Sequence, residues 1–119
     1  MVHPNTNRRE RGQAAENQAC DYLLQQGLIL VARNYRCLAG EIDLIFQDQN
    51  CLVFVEVRYR SSMQFGGAAE SIDYRKQRKI ARAASHYLQR YPSKHACRFD
   101  VIAIMPREVL WIRDAFEVE

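Results

Sequence analysis

The chain has 119 residues, 48% of them hydrophobic and 26% charged, with a net charge of +3, so it holds one ordinary globular domain and is too short for two cores. A charge this small excludes a uniformly basic nucleic-acid coat, and any such role has to rest on where the cations stand. Lysine occurs only as Lys76, Lys79 and Lys94, and the dominance of arginine among the cations favours bidentate contacts to phosphate or carboxylate.

Cys20, Cys37, Cys51 and Cys97 form no CxxC pair and have no histidine at zinc-finger spacing, which argues against a zinc site and for reduced thiols. The apolar runs from Leu28 to Ala32 and from Val101 to Met105 are far shorter than a membrane span, and Met1 to Asn7 has no signal-peptide core; a cytoplasmic, soluble protein is expected. Residues 1–7 read as a disordered tail, followed by a single domain over 8–119.

From Arg8 to Gln26, Ala15, Ala19, Tyr22 and Leu23 recur at helical steps, and Gly27 is placed to stop the helix. Glu16 falls on or beside the apolar stripe of this helix. An inward carboxylate needs a partner, either an arginine or a metal or water shared with other acids. Leu28 to Tyr35 reads as a first strand, and Arg36 stands near the entrance to the next stretch.

That stretch, Gly40 to Arg60, is GEIDLIFQDQNCLVFVEVRYR. Ile42, Leu44 and Phe46 alternate with Glu41, Asp43 and Ile45, and Val53, Val55 and Val57 alternate with Leu52, Phe54, Glu56 and Arg58, so two strands with a polar turn between them are predicted. With Gln49 and Asn50 at the tip, Asp48 faces Cys51, Asp43 faces Glu56 and Glu41 faces Arg58. Opposed carboxylates about 4.5–5.5 Å apart repel unless something neutralises them. A divalent cation such as Mg²⁺, which takes one or two carboxylates plus waters and phosphate oxygens, would do so; a solvated face with a cross-strand ion pair is the plainer alternative.

Ser61 to Asp73 is a long, small-residue connection, either a lid or substrate contact or a simple linker. Tyr74 to Tyr91 is a second helix with Asp73 as N-cap. Its packed stripe is Gln77, Ile80, Ala81, Ala84, Tyr87, Leu88 and Tyr91, while Arg75, Arg78, Lys79 and Arg82 share the other face with Lys76 at the border. A basic face of this kind is usually only solvated, but phosphate binding would give it a use. Phe99 to Met105 is a central strand interrupted by Asp100. Val109 to Ile112 is a last short strand, with Trp111 assigned to the core. His3, His86 and His95 are isolated and read as surface residues.

The order helix, three strands, helix, two strands, with Asp43 followed by Glu56-Val57-Arg58, resembles the PD-(D/E)xK nuclease superfamily. Arg11-Gly12, Ala15-Glu16, Asn34-Tyr35-Arg36, GEIDLI at 40–45, FVEVRYR at 54–60, Lys76-Gln77 and Arg98-Phe99-Asp100-Val101 are similar to the bacterial YraN-like family, itself related to archaeal Holliday-junction resolvases. The resemblance implies an α/β restriction-endonuclease-like fold, a central mixed sheet flanked by helices. It also implies Mg²⁺- or Mn²⁺-dependent hydrolysis of DNA phosphodiester bonds on branched or repair structures. Asp43 and Glu56 would be metal ligands together with the Val57 carbonyl, Glu16 the first-helix acid that completes the site, and Arg58 the occupant of the motif-lysine position. A guanidinium there stabilises charge but does not deprotonate water, so Lys76 is a candidate substitute. Arg36, Arg60, Arg75, Lys76 and Lys79 are the expected nucleic-acid contacts, and a homodimer is the expected assembly. A non-catalytic nucleic-acid-binding module and an adaptor whose acids only pair with Arg58 and Arg60 are the competing functions.

Overall fold

Residues 8–60 and 71–118 are described by a computed structural model; the tail expected over 1–7 and most of the 61–73 connection lie outside them. The first helix, α1 (Arg8–Gln25), buries Ala15, Ala19, Cys20 and Leu23, a stripe of mostly small side chains that lets the helix lie close to a sheet. It ends as expected. Gly27 takes a left-handed φ of 93°, Leu28 N–H donates to Leu23 O at 3.1 Å and Gly27 N–H to Leu24 O at 3.0 Å, which is the Schellman arrangement. Leu28 then packs in the same apolar cluster as Leu23.

Five strands follow, β1 (Ile29–Cys37), β2 (Gly40–Asp48), β3 (Cys51–Tyr59), β4 (Ala96–Ile104) and β5 (Val109–Phe116), with α2 (Tyr74–Arg90) between β3 and β4. They form one sheet in sequence order. All neighbours are antiparallel except β3 and β4, which run parallel from Cys51↔Ala96 to Tyr59↔Ile104; α2 makes the crossover that a parallel pair requires. The helix–strand order, the mixed sheet and the flanking helices are those of the expected α/β fold. β5 runs four residues past Ile112, where the polar residues Arg113 and Asp114 hid a strand continuation; Asp114 has a φ of 51° within a register irregularity, after which Phe116 pairs with Phe99.

The two helices cover opposite faces. Leu44, Phe46, Val53, Val55, Ile102 and Ile104 pack with the α1 stripe; Ile45, Leu52 and Phe54 pack with Ala83, Ala84 and Tyr87 of α2, and Val101 and Ala103 with Ile80. Alternate residues of β3 and β4 thus serve alternate faces, as buried central strands do. The α2 stripe is rotated slightly from expectation, with Ala83 rather than Ala81 buried. Asp73 caps α2, its carboxylate accepting from Lys76 N–H at 2.8 Å.

Asp100 is fully buried, which without partners is prohibitive for a carboxylate. Arg98 Nε donates to it at 2.9 Å, Trp111 Nε1 at 2.9 Å and the backbone N–H of Asp114 at 2.9 Å. Arg98 also reaches Asp48 at 2.8 Å, tying the tip of the β2–β3 hairpin to β4. Trp111 is therefore a structural residue, flanked by Tyr22 edge-on. Among the described residues no helix is long and apolar enough to cross a membrane.

Candidate metal and nuclease site

The register of β2 on β3 is the expected one from Asp48↔Cys51 to Leu44↔Val55, and there the pairing ends. Asp43 and Glu56 are therefore not a paired rung. Instead the Asp43 side chain reaches across, its Oδ2 accepting from the backbone N–H of Val57 at 2.8 Å. Glu41 does not face Arg58 either; it pairs with Arg36 on β1, with Arg36 Nε 3.5 Å from its Oε1. The cause lies in the local backbone. Ile42 packs with the α2 cluster whereas Leu44 and Phe46 pack with α1, so the predicted apolar face Ile42-Leu44-Phe46 is broken at Asp43. Directly across, between the pairs Arg33↔Leu44 and Tyr35↔Ile42, stands Asn34 with a left-handed φ of 52°, a conformation asparagine tolerates better than most residues.

This break brings four carboxylates into electrostatic reach. Burial, then the charge of Glu56, and to a lesser degree Glu16 and Glu41, push Asp43 up to about 8 against the lowering effect of Val57 N–H. Glu56, only 7% exposed, is also raised by burial, although Lys76 and Arg58 pull the other way. Glu16 is raised by burial and by Glu41, with Asn34 hydrogen bonding and Arg33 and Arg36 opposing. Lys76 Nζ lies 3.8 Å and Arg58 Nε 3.9 Å from Glu56 Oε1, near the outer limit of an ion pair, so neutralisation is partial. Among the described residues, two buried polar atoms, Glu16 Oε1 and Arg58 Nε, have no hydrogen-bond partner. Such orphans cost about 1–3 kcal/mol each, and both belong to residues expected at the site.

The donor set is all oxygen, which suits a hard divalent cation and not zinc. Among the described residues no group of three or more His, Cys, Asp or Glu side chains is gathered closely enough to hold an ion by itself. The fit is thus to an ion such as Mg²⁺ held by one or two carboxylates with water and main-chain oxygen completing the shell.

Of the expected nucleic-acid contacts, Arg75 and Lys79 are exposed on the outer face of α2, whereas Lys76 turns inward to Glu56. Arg60 is half-buried and its backbone N–H bonds Ile104 O at 2.9 Å. Sequence reasoning missed Asn34 and the electrostatic part played by Glu41. An asparagine inside an otherwise strand-like run was the available signal for the first. His86, exposed as expected, pairs through Nδ1 with the Tyr35 hydroxyl. All four cysteines are free.

The profile of the family described as "Uncharacterised protein family UPF0102" matches residues 15–104. A UPF0102 protein from Janthinobacterium sp. (strain Marseille) is 53% identical over 98% of this chain and 95% of its own length. Relatives from Pseudomonas putida (strain GB-1), 52% identical over 89% of this chain and 92% of theirs, and Nitrosomonas eutropha (strain DSM 101675 / C91 / Nm57), 53% identical over 92% and 95%, carry the same family name. With the profile running from within α1 to the end of β4 and relatives matched over 89–98% of this chain, the chain belongs to the UPF0102 family.

Proposed function

We propose that the protein is a metal-dependent nuclease that hydrolyses DNA phosphodiester bonds, acting on branched or repair structures. The observation that carries this reading is the electrostatic coupling of half-buried Asp43 to buried Glu56. Burial raises both carboxyls, and the charge of Glu56 raises Asp43 further, an arrangement that destabilises the fold by itself and that a bound cation would relieve. Asp43, Glu56 and the Val57 carbonyl would hold Mg²⁺ or Mn²⁺, with the unsatisfied Glu16 oxygen available to it or to its water. Such an ion, when bound, polarises a phosphoryl oxygen and lowers the pKa of the attacking water. Arg58 and Lys76, both beside Glu56, would bind the scissile phosphate and stabilise charge gathering on it. The resolvase kinship implies a homodimer on DNA of two-fold symmetry, which light scattering with and without DNA would detect.

A second reading is a nucleic-acid-binding module without turnover. It is favoured by Arg58, which stands where the superfamily has a lysine and whose guanidinium binds and orients phosphate without serving as a base for water. The deciding experiment is a Mg²⁺ and Mn²⁺ cleavage assay on single-stranded, duplex, flap and four-way DNA, with Asp43→Ala purified in parallel. Metal-dependent cleavage lost in Asp43→Ala, with DNA binding kept, is the expected result. Binding without cleavage on any substrate would establish the module instead.

A further inference from the structure

The inward and outward faces of α2 carry different cations. Lys76 turns in with the Ile80-Ala83-Ala84-Tyr87 stripe and meets Glu56. Arg75, Arg78, Lys79 and Arg82 point outward and are exposed, and among the described residues none of the four makes an ion pair with a carboxylate. Their position is unfavourable for the helix. Arg75 stands in the first turn, at the positive pole of the helix, where cations destabilise, and the four cations, at three- and four-residue spacing, repel one another. The first turn contains no acid. A chain shaped for stability alone would place glutamates here.

These cations line a hollow of about 340 Å³ with Tyr74, a residue 61% exposed. Arg78 lies over that ring at 5.8 Å. A second hollow of about 420 Å³ shares Arg78 and Arg82 and extends the groove to Ser85 and Val118. An exposed aromatic at the head of a cationic groove is the arrangement by which proteins hold unpaired nucleotides, the base stacked on the ring and the backbone tracked by cations. A duplex keeps its bases stacked on each other and has no use for the tyrosine.

We propose that the outer groove of α2, headed by Tyr74 and floored by Arg75, Arg78, Lys79 and Arg82, binds the single-stranded portion of a nucleic-acid substrate. This deepens the nuclease reading, on which it rests for the identity of the ligand. Tyr74 and Arg75 directly precede Lys76 in the chain, so a strand whose phosphate lies at Glu56 and Lys76 passes onto the groove within one helical turn. The substrate class this selects is DNA with an unpaired tail or flap, in preference to fully paired junctions.

The test is fluorescence anisotropy in EDTA, with a short thymidine oligonucleotide and a blunt duplex as probes. Because it reads binding without metal or cleavage, its outcome is separate from that of the nuclease assay. Tyr74→Ala is expected to weaken the oligonucleotide by about tenfold or more while Tyr74→Phe keeps affinity within about twofold and duplex binding moves little. Arg82→Gln is expected to lower the slope of log affinity against log salt for the oligonucleotide by about 0.7. Unchanged oligonucleotide binding in Tyr74→Ala would overturn the proposal, as would equal loss for oligonucleotide and duplex, or tighter binding of duplex by the native protein.

Discussion

Replacing Asp43 by asparagine should make the metal-free protein more stable, and more so the higher the pH. In the folded state the carboxyl keeps its proton to about pH 8, whereas in the unfolded chain it loses it near 3.9. Between those values the folded state binds the extra proton, so stability is fully present below about pH 4 and is lost as pH rises towards 8. The displacement from 3.8 to about 8, at about 1.4 kcal/mol per pH unit, sets a ceiling of roughly 5–6 kcal/mol. Sharing of the repulsion with Glu56 and a responsive surrounding medium reduce the gain at pH 8 to about 2 kcal/mol. Asparagine is isosteric and retains an acceptor for Val57 N–H. A gain of this size raises Tm by roughly 8 °C for a domain of this length. At pH 5 only about a quarter of the gain should remain, since most of the titration lies above that value. The assay is thermal unfolding in EDTA at pH 5 and pH 8. A variant no more stable than the native protein at pH 8, or a gain of equal size at both pH values, would refute the account of Asp43 as a strained carboxyl.

Four further outcomes follow from the same structure. Mg²⁺ at a hundredfold excess over its dissociation constant should stabilise the native protein by about 2.7 kcal/mol and leave Asp43→Asn nearly unmoved, by the same thermal assay. Lys76→Gln should raise the Glu56 carboxyl further, since Lys76 is the larger of the two cationic influences lowering it; carbon-detected NMR titration of that carboxyl reads the direction. Asp100→Ala should destabilise by about 3–5 kcal/mol, because it leaves Arg98 and Trp111 facing an empty partner, and urea unfolding measures it. Asp73→Ala should cost about 1 kcal/mol through loss of the α2 cap, seen in the same urea series.

The helices and the β2–β3 hairpin could be read in the sequence because each depends on local periodicity: alanines at three- and four-residue steps in α1, and alternating apolar residues around Gln49-Asn50. Glu56 and Asp43 could be brought together by counting register. Their actual relation could not, because it depends on Asn34, which departs from strand geometry on a different strand and ends the alternation at Asp43. Lys76 was legible only as a border residue, since each residue turns a helix by about 100° and a small rotation decides whether its ammonium meets solvent or Glu56. The full length of β5 escaped because Arg113 and Asp114 look like a terminus; what continues the strand is Asp100 accepting from Asp114 N–H, a contact fourteen positions away in sequence.

That contact bears on how the molecule is made. Asp100 sits on β4 with a strand on either side, and two of its donors, the Trp111 indole and the Asp114 amide, come from β5. During synthesis on the ribosome β4 holds an incompletely satisfied carboxylate until β5 has emerged, so the preceding strands cannot settle into their final state beforehand. An edge strand that elsewhere serves as trimming here acts as the latch of the domain, and a chain released before it would present the cell with a quality-control substrate instead of a smaller folded domain.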